Sequence, residues 1–225
     1  MTELLKRLAR PLVIALPLAA AAAWRGALTP GVVLFLTVTT IWIAVRIGYE
    51  ADPLPVTAKR REKRERVLIS LVALGALYLP AFKIATPLLD FADYTTPIWL
   101  LALGSALAVV GLWLFWRSHA DLGRNWSPVL ELRDTHSLVT GGVYARIRHP
   151  MYAAIFLISG AQLLFLGNAV AGPAGLIAFG LLYLDRIGPE ERMMADHFGA
   201  AWARYKARTG RILPMAGRRD PDASG

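Results

Sequence analysis

The stretch MYAAIFLISGAQLLFLGNAVAGPAGLIAFGLLYL, residues Met151–Leu184, decides the fold. A helix crosses the hydrocarbon core of a bilayer with about 20 mainly apolar residues. This run is too long for one crossing, and Gly167-Asn168 and Gly172-Pro173 interrupt it near its middle. Those breakers predict a tight helical hairpin with arms Met151–Leu166 and Val170–Leu184. Each arm is short for a full crossing, so tilt or incomplete penetration is expected.

Working outward, Pro11–Trp24, Gly31–Gly48, Val67–Leu89 and Ile98–Trp116 read as four further spans. The chain is 56% hydrophobic with a mean hydropathy of +0.45, against about 45–50% apolar in a soluble domain. The expected architecture is all-α and polytopic, with about six membrane helices including the hairpin. A cytoplasmic amphipathic helix is expected at the C-terminal end, because Met194, Phe198, Trp202 and Tyr205 form one apolar stripe after Pro189. Residues 1–116 hold the N-terminal spans, 117–214 a polar region built around the hairpin, and 215–225 a polar tail.

The net charge of +9 and pI near 10.2 point away from nucleic acid once the positions are read. Basic residues fill the gaps between apolar blocks, where anionic lipid headgroups are the counter-charge. Lys6, Arg7 and Arg10 precede the first span, and Lys59, Arg60, Arg61, Lys63, Arg64 and Arg66 separate the second from the third. Arg25 alone faces the other side, and Arg46 and Lys83 lie inside spans near their ends. All the remaining Lys and Arg share one side, which the positive-inside rule makes cytoplasmic. Both termini and the polar region then face the cytoplasm, as expected of an inner-membrane protein. The basic start, short apolar run and Ala19–Ala23 also resemble a secretory signal, whose removal would leave the later spans oriented as before. There is no cysteine, hence no thiolate nucleophile or Cys-based metal site.

Two polar clusters are candidates for chemistry. In Arg146-Ile147-Arg148-His149-Pro150-Met151-Tyr152, Pro150 suits the first position of a helix and holds His149 extended before it. Arg148 and His149 would then stand at a helix N-terminus, which favours an anion such as a carboxylate or phosphate. The same residues also read as an ordinary basic flank with an incidental histidine. In the second, Asp185-Arg186-Ile187-Gly188-Pro189-Glu190-Glu191-Arg192, a proline again begins a helix, and acids in its first turn complement the dipole. Adjacent glutamates point about 100° apart on a helix, so Glu190 and Glu191 are expected to play different roles. Gly141-Gly142 permits unusual backbone angles or close approach to a ligand. GxGxxG, GxxxxGK[ST], HExxH and GxSxG are absent, and His119, His136, His149 and His197 lack metal-ligand spacing.

The pattern Gly142-Val143-Tyr144, then Arg148-His149-Pro150-Met151-Tyr152, an apolar hairpin, Glu190-Glu191, Phe198-Gly199, Trp202, Tyr205, Arg211 and Pro214 resembles the isoprenylcysteine carboxyl methyltransferase family. The related phospholipid N-methyltransferases share its broad form. The resemblance covers roughly Leu122–Pro214 and departs from many relatives at Ala153-Ala154, where they carry glycine. It implies S-adenosylmethionine as methyl donor, bound by Arg148, His149 and Tyr152 from the first motif and by Glu190 and Glu191 from the second. Tyr144 and Tyr205 would line the pocket, their faces suited to the sulfonium. Arg148 and a second arginine, Arg211 or else Arg124 or Arg146, would orient an acceptor carboxylate. The implied acceptor is lipophilic, most simply a prenylated cysteine or analogue. An ethanolamine lipid is the close alternative. A sterol-type reductase using NADPH and a non-catalytic scaffold are the remaining ones.

Overall fold

The computed structural model describes residues 2–49, 58–59, 62–123, 131–132 and 138–215. The first helices are α1 (Thr2–Trp24) and α2 (Pro30–Gly48). Thr29 caps α2, its hydroxyl accepting from the Val32 N–H at 3.3 Å, with Pro30 in the first turn. A two-residue strand β1 (Ala58–Lys59) precedes α3 (Glu62–Ala73), which passes through a π-helical turn, Leu74–Tyr78, into α4 (Leu79–Ala85). A 3₁₀ turn, Pro87–Ala92, leads to α5 (Ile98–Leu122). Strand β2 (Glu131–Leu132) pairs antiparallel with β1. Then come a 3₁₀ turn at Gly142–Ala145, α6 (Pro150–Phe165) and α7 (Ala171–Arg208). Among the described residues this pair is the only strand structure in an otherwise helical fold.

Among the described residues, three helical stretches are long and apolar enough to cross a membrane: Pro30–Gly48, Lys63–Ala85 and Ile98–Leu122. Pro11–Trp24 and Pro150–Phe165 are apolar but shorter. Trp99 and Trp116, both partly exposed on α5, lie roughly 26 Å apart at 1.5 Å rise per residue. That separation suits tryptophans at the two edges of a hydrocarbon core of about 30 Å.

Without a hydrophobic drive between helices in lipid, close packing falls to small residues. On α5 a stripe of Gly104, Ala108 and Gly111 is buried. A Cβ at Gly104 would stand 2.8 Å from the Phe165 ring, and one at Gly111 2.9 Å from the Ile158 side chain. These contacts run in reverse order along α6, so α5 and α6 are antiparallel neighbours. Gln162, buried on α6, donates to the carbonyls of Gly75 (3.0 Å) and Ala171 (2.9 Å), tying the π-helical turn to the start of α7.

The break between α6 and α7 falls at Leu166–Val170, on the expected Gly167-Asn168. The Asn168 carbonyl oxygen of the side chain accepts from the N–H groups of Val170 (3.1 Å) and Ala171 (2.8 Å). Its amide nitrogen donates to Leu89 O and Asp93 Oδ1. Gly172-Pro173 is not a break: it lies in the first turn of α7, where a missing N–H goes unnoticed.

Three expectations need correcting. The third span ends at Ala85, not Leu89, because Lys83 turns back to Asp90 and to Asp93 (2.7 Å) and the chain coils into a 3₁₀ turn. Pro189 starts no helix, since α7 runs through it. Ties on both sides hold it there, Arg186 to Glu65 before the proline and Glu191 to Arg148 after it. The apolar stripe is broken at Gly199, whose φ of 50° and ψ of −122° kink the helix. Trp202 and Tyr205 beyond the kink are buried, whereas Met194 and Phe198 before it are only half-buried.

Candidate active site

The two motifs meet at one end of the bundle. The backbone of Arg148 and His149 hydrogen-bonds to the carbonyls of Gly210 (2.8 Å) and Arg211 (2.9 Å), and the Gly210 N–H returns to Arg146 O at 3.2 Å. A short parallel bridge thereby seats the segment after α7 against the entry to α6. His149 caps α6 at φ −125° and ψ 61°, so it is not fully extended as expected, and Pro150 occupies the first turn.

Arg148 and His149 do face an anion, and it is the protein's own. The Arg148 side chain, 7% exposed, donates from Nη2 and Nε to Glu191 Oε1 at 3.0 and 3.2 Å. Its Nη1 donates to the carbonyls of Thr209 and Lys206 at the end of α7. Arg211 approaches Glu191 from the outer side, Nε to Oε1 at 3.2 Å and Nη2 to Oε2 at 3.1 Å, with Lys206 Nζ at 3.4 Å from Oε2. Arg211 and Lys206 are about half exposed (48% and 49%), which marks the solvent-facing edge of the cluster.

Glu190 faces the other way, and the two glutamates take different partners as the helix angle requires. It accepts from the Tyr152 hydroxyl and lies 3.6 Å from Arg186 Nε. His149 is wedged between the two carboxylates, Nδ1 3.6 Å from Glu190 Oε1 and Nε2 3.5 Å from Glu191 Oε1. Its ring stacks on Tyr152 with centroids 5.5 Å apart. His149 Nε2 is buried without a hydrogen bond.

The electrostatics follow from this enclosure. Burial disfavours the His149 cation, but Glu190 and then Glu191 outweigh it, holding its pKa above the ordinary imidazole value. Burial likewise raises both carboxyls, and His149 is the foremost of the partners that together outweigh it. With Arg186 and Tyr152 around Glu190, and Arg211 and Arg148 around Glu191, both stand below the carboxylate range. Both glutamates are therefore anions at neutral pH.

Tyr144 and Tyr205 form a second layer. The Tyr205 hydroxyl donates to Tyr144 O at 2.7 Å, and the Tyr144 hydroxyl to Ser118 O at 3.3 Å. Both are buried, and burial first of all pushes the Tyr205 phenol up to about 12. Gly142, the second of the two glycines, has φ 58°, and a Cβ there would strike the Asp121 carboxylate. Asp121 instead accepts from the Val143 N–H at 2.9 Å, fastening this turn to α5. Arg146 is exposed, and Arg124 and His136 lie outside the described residues, as does the tail from residue 216.

Sequence reasoning missed three contributors. Lys206 reads as part of an amphipathic helix, and Asp121 as a single acid in the polar region after Trp116. Glu65 was hidden among Lys63, Arg64 and Arg66 in a basic segment. On the opposite end of the bundle it also missed a second ion cluster, in which Arg25 donates to Lys83 O, Ile84 O and Asp90. A lysine inside an apolar run, followed closely by Asp90 and Asp93, was the available signal.

Fold and site together define a helical integral membrane protein with a buried, mixed-charge site at the end of its bundle. Residues 102–196, somewhat under half of the chain, match the model of the isoprenylcysteine carboxyl methyltransferase family. Over 119 residues it is 35% identical to protein-S-isoprenylcysteine O-methyltransferase of Mus musculus and 34% identical to that of Homo sapiens. Each match covers 52% of this chain and 42% of the relative, so the chain spans less than half the length of these relatives. A solved structure of the eukaryotic intramembrane Ras methyltransferase of this family superposes with a TM-score of 0.53 at 23% identity. It covers 83% of this chain and 68% of that one, a likeness of fold.

Proposed function

We propose that this chain is an S-adenosylmethionine-dependent methyltransferase that esterifies the carboxylate of a lipophilic acceptor, an isoprenylated cysteine or analogue. The observation that carries the reading is the joining of both family motifs in one buried cluster, with His149 between Glu190 and Glu191. The cofactor supplies an electrophilic methyl group on a sulfonium. The residues fit its other groups by charge: Arg148 and His149 suit a carboxylate, and Glu190 or Glu191 an ammonium or ribose hydroxyls. The buried, unbonded Nε2 of His149 offers a further polar contact.

A carboxylate acceptor is ionised near pH 7 and needs no base. The chain's task is then to orient two ligands and exclude water. Arg211, half exposed at the edge of the cluster, is suited to receive the acceptor carboxylate, with Arg148 behind it. A small, mostly apolar cleft between α2, α3 and α6, lined by Phe35, Trp42, Val72, Ile155 and Ser159 among others, marks where the hydrocarbon would lie against the helices. Ile155 and Ser159 follow Tyr152 on one face of α6, at spacings of three and four residues. A hydrocarbon tail lying there would leave its polar end near Tyr152.

Both glutamates are engaged by cations, so neither is a free base for an ammonium acceptor. This supports carboxyl over ethanolamine-lipid methylation. Two adjacent carboxylates also repel the 2′-phosphate of NADPH. In membrane topology the reading comprises about six membrane helices, α6 and the first part of α7 forming the hairpin. The segment beyond Gly199 lies at the membrane surface. The site end and both termini face the cytoplasm, on the side that carries nearly all the Lys and Arg.

Calorimetric titration of the purified protein tests the cofactor. Saturable binding of S-adenosylmethionine, lost in His149→Ala and Glu190→Ala variants that still fold, is the expected result. Saturable binding of NADPH alone would overturn the reading.

A further inference from the structure

We infer that Glu65 on α3 is a positioning residue for the cofactor site, acting through Arg186 on Glu190. This rests on the methyltransferase reading above, but the residue itself lies outside the 102–196 family match. Arg186 Nη1 stands 3.3 Å from Glu65 Oε1, and its Nε 3.6 Å from Glu190 Oε2. Glu190 in turn accepts from Tyr152 and faces His149. A carboxylate–guanidinium–carboxylate line therefore runs from α3 through α7 to the two aromatic residues that open α6.

The burial pattern makes this line more than an ordinary bridge. At the start of α3, Lys63, Arg64 and Arg66 are exposed, and Glu65 between them has a side chain only 14% exposed, equal to Arg186. Desolvating such a pair offsets most of its attraction, so a buried ion pair is weak evidence for stability and better suited to fixing geometry. An adjacent pair provides an internal control. Arg64 and Asp185 also join α3 to α7, at 2.6 Å, but the arginine is 64% exposed, and the ion pairs of Glu190 among the described residues run to Arg186 and His149 instead. If α3 were merely fastened to α7, the two bridges would be equivalent. Only the Glu65 bridge sets where Arg186 places its charge, and hence which rotamer Glu190 keeps when a ligand arrives.

The test is a double-mutant cycle on S-adenosylmethionine affinity, using full-length protein in detergent, with unfolding midpoints recorded for each variant. Glu65→Gln should weaken binding about 5- to 30-fold, a range typical of coupled neighbours. Glu190→Gln should weaken it more, and the double variant no further than Glu190→Gln alone. Arg64→Ala should leave affinity at the wild-type value. If Glu65→Gln fails to fold, Glu65→Asp, which keeps the charge and draws it back, should show a smaller loss of affinity. Wild-type affinity in the folded Glu65 variant overturns the inference. So do losses that multiply in the double variant, or equal losses in the Arg64 and Glu65 variants. A wild-type protein that does not bind S-adenosylmethionine at all overturns the methyltransferase reading instead, and this inference with it.

Discussion

Replacing Arg148 by alanine separates the buried part of the cluster from its exposed part. The wild-type guanidinium is 7% exposed and carries two bonds to Glu191 and two to carbonyls at the end of α7. Removing one member of a buried ion pair costs about 3–5 kcal/mol, because the partner is left charged without compensation. Glu191 keeps Arg211 and Lys206, which take up part of that cost. The freed Thr209 carbonyl, on a residue 1% exposed, adds about 1 kcal/mol or more. A net loss of about 3 kcal/mol follows from these terms. Arg211→Ala removes a half-exposed partner of the same carboxylate, and such pairs contribute about 0–1 kcal/mol. For a chain of this size 1 kcal/mol moves the unfolding midpoint by roughly 2–4 °C. Arg148→Ala should then lower the midpoint in detergent by roughly 6–12 °C, and Arg211→Ala by less than about 4 °C. Equal shifts for the two variants would refute the claim that Arg148 is the structural centre of the cluster.

Other outcomes follow from the same geometry. The His149 pKa is raised in the fold, so its stabilising contribution is complete below about pH 6.5 and is lost as pH rises through the raised value. The unfolding midpoint should fall from pH 6 to pH 9 in wild type and fall less in His149→Asn. Lys83→Met, at the far end of the bundle, should lower the midpoint while leaving S-adenosylmethionine affinity unchanged, which titration of the folded variant would check. Gly31→Ala should destabilise by about 1–3 kcal/mol, since its Cβ would overlap the Phe165 carbonyl oxygen at 1.9 Å; detergent unfolding measures it. Because the chain has no cysteine, single cysteines report sidedness directly. In intact cells an impermeant maleimide should label a cysteine at Phe91 and spare one at Asp196.

The helices were legible because lipid imposes a simple code: apolar runs of sufficient length, separated by charge. The break between α6 and α7 was legible in Gly167-Asn168, whose residue types favour a turn. Ends and joins that depend on tertiary partners were not. Lys83 reads as a charge near the limit of a span, and nothing local says that Asp90 and Asp93 curl back to hold it. Pro189 carries the local signature of a helix start, yet bridges on either side carry α7 through it. In the site, both motifs and the separate directions of Glu190 and Glu191 were visible from spacing and helix geometry. That Glu191 itself answers Arg148 was not, because the two lie on different helices. Glu65 was the least visible, a lone acid in a basic stretch whose partner belongs to a distant helix.

The central claim is methyl transfer to a carboxylate, and one assay addresses it. Purified protein in lipid is incubated with S-adenosylmethionine tritiated in the methyl group and an S-farnesylcysteine analogue, and the extracted product is treated with base. Label released as volatile methanol, and absent with the Glu190→Ala variant, is the predicted result. Label that survives base, or transfer only to ethanolamine lipids, would contradict it.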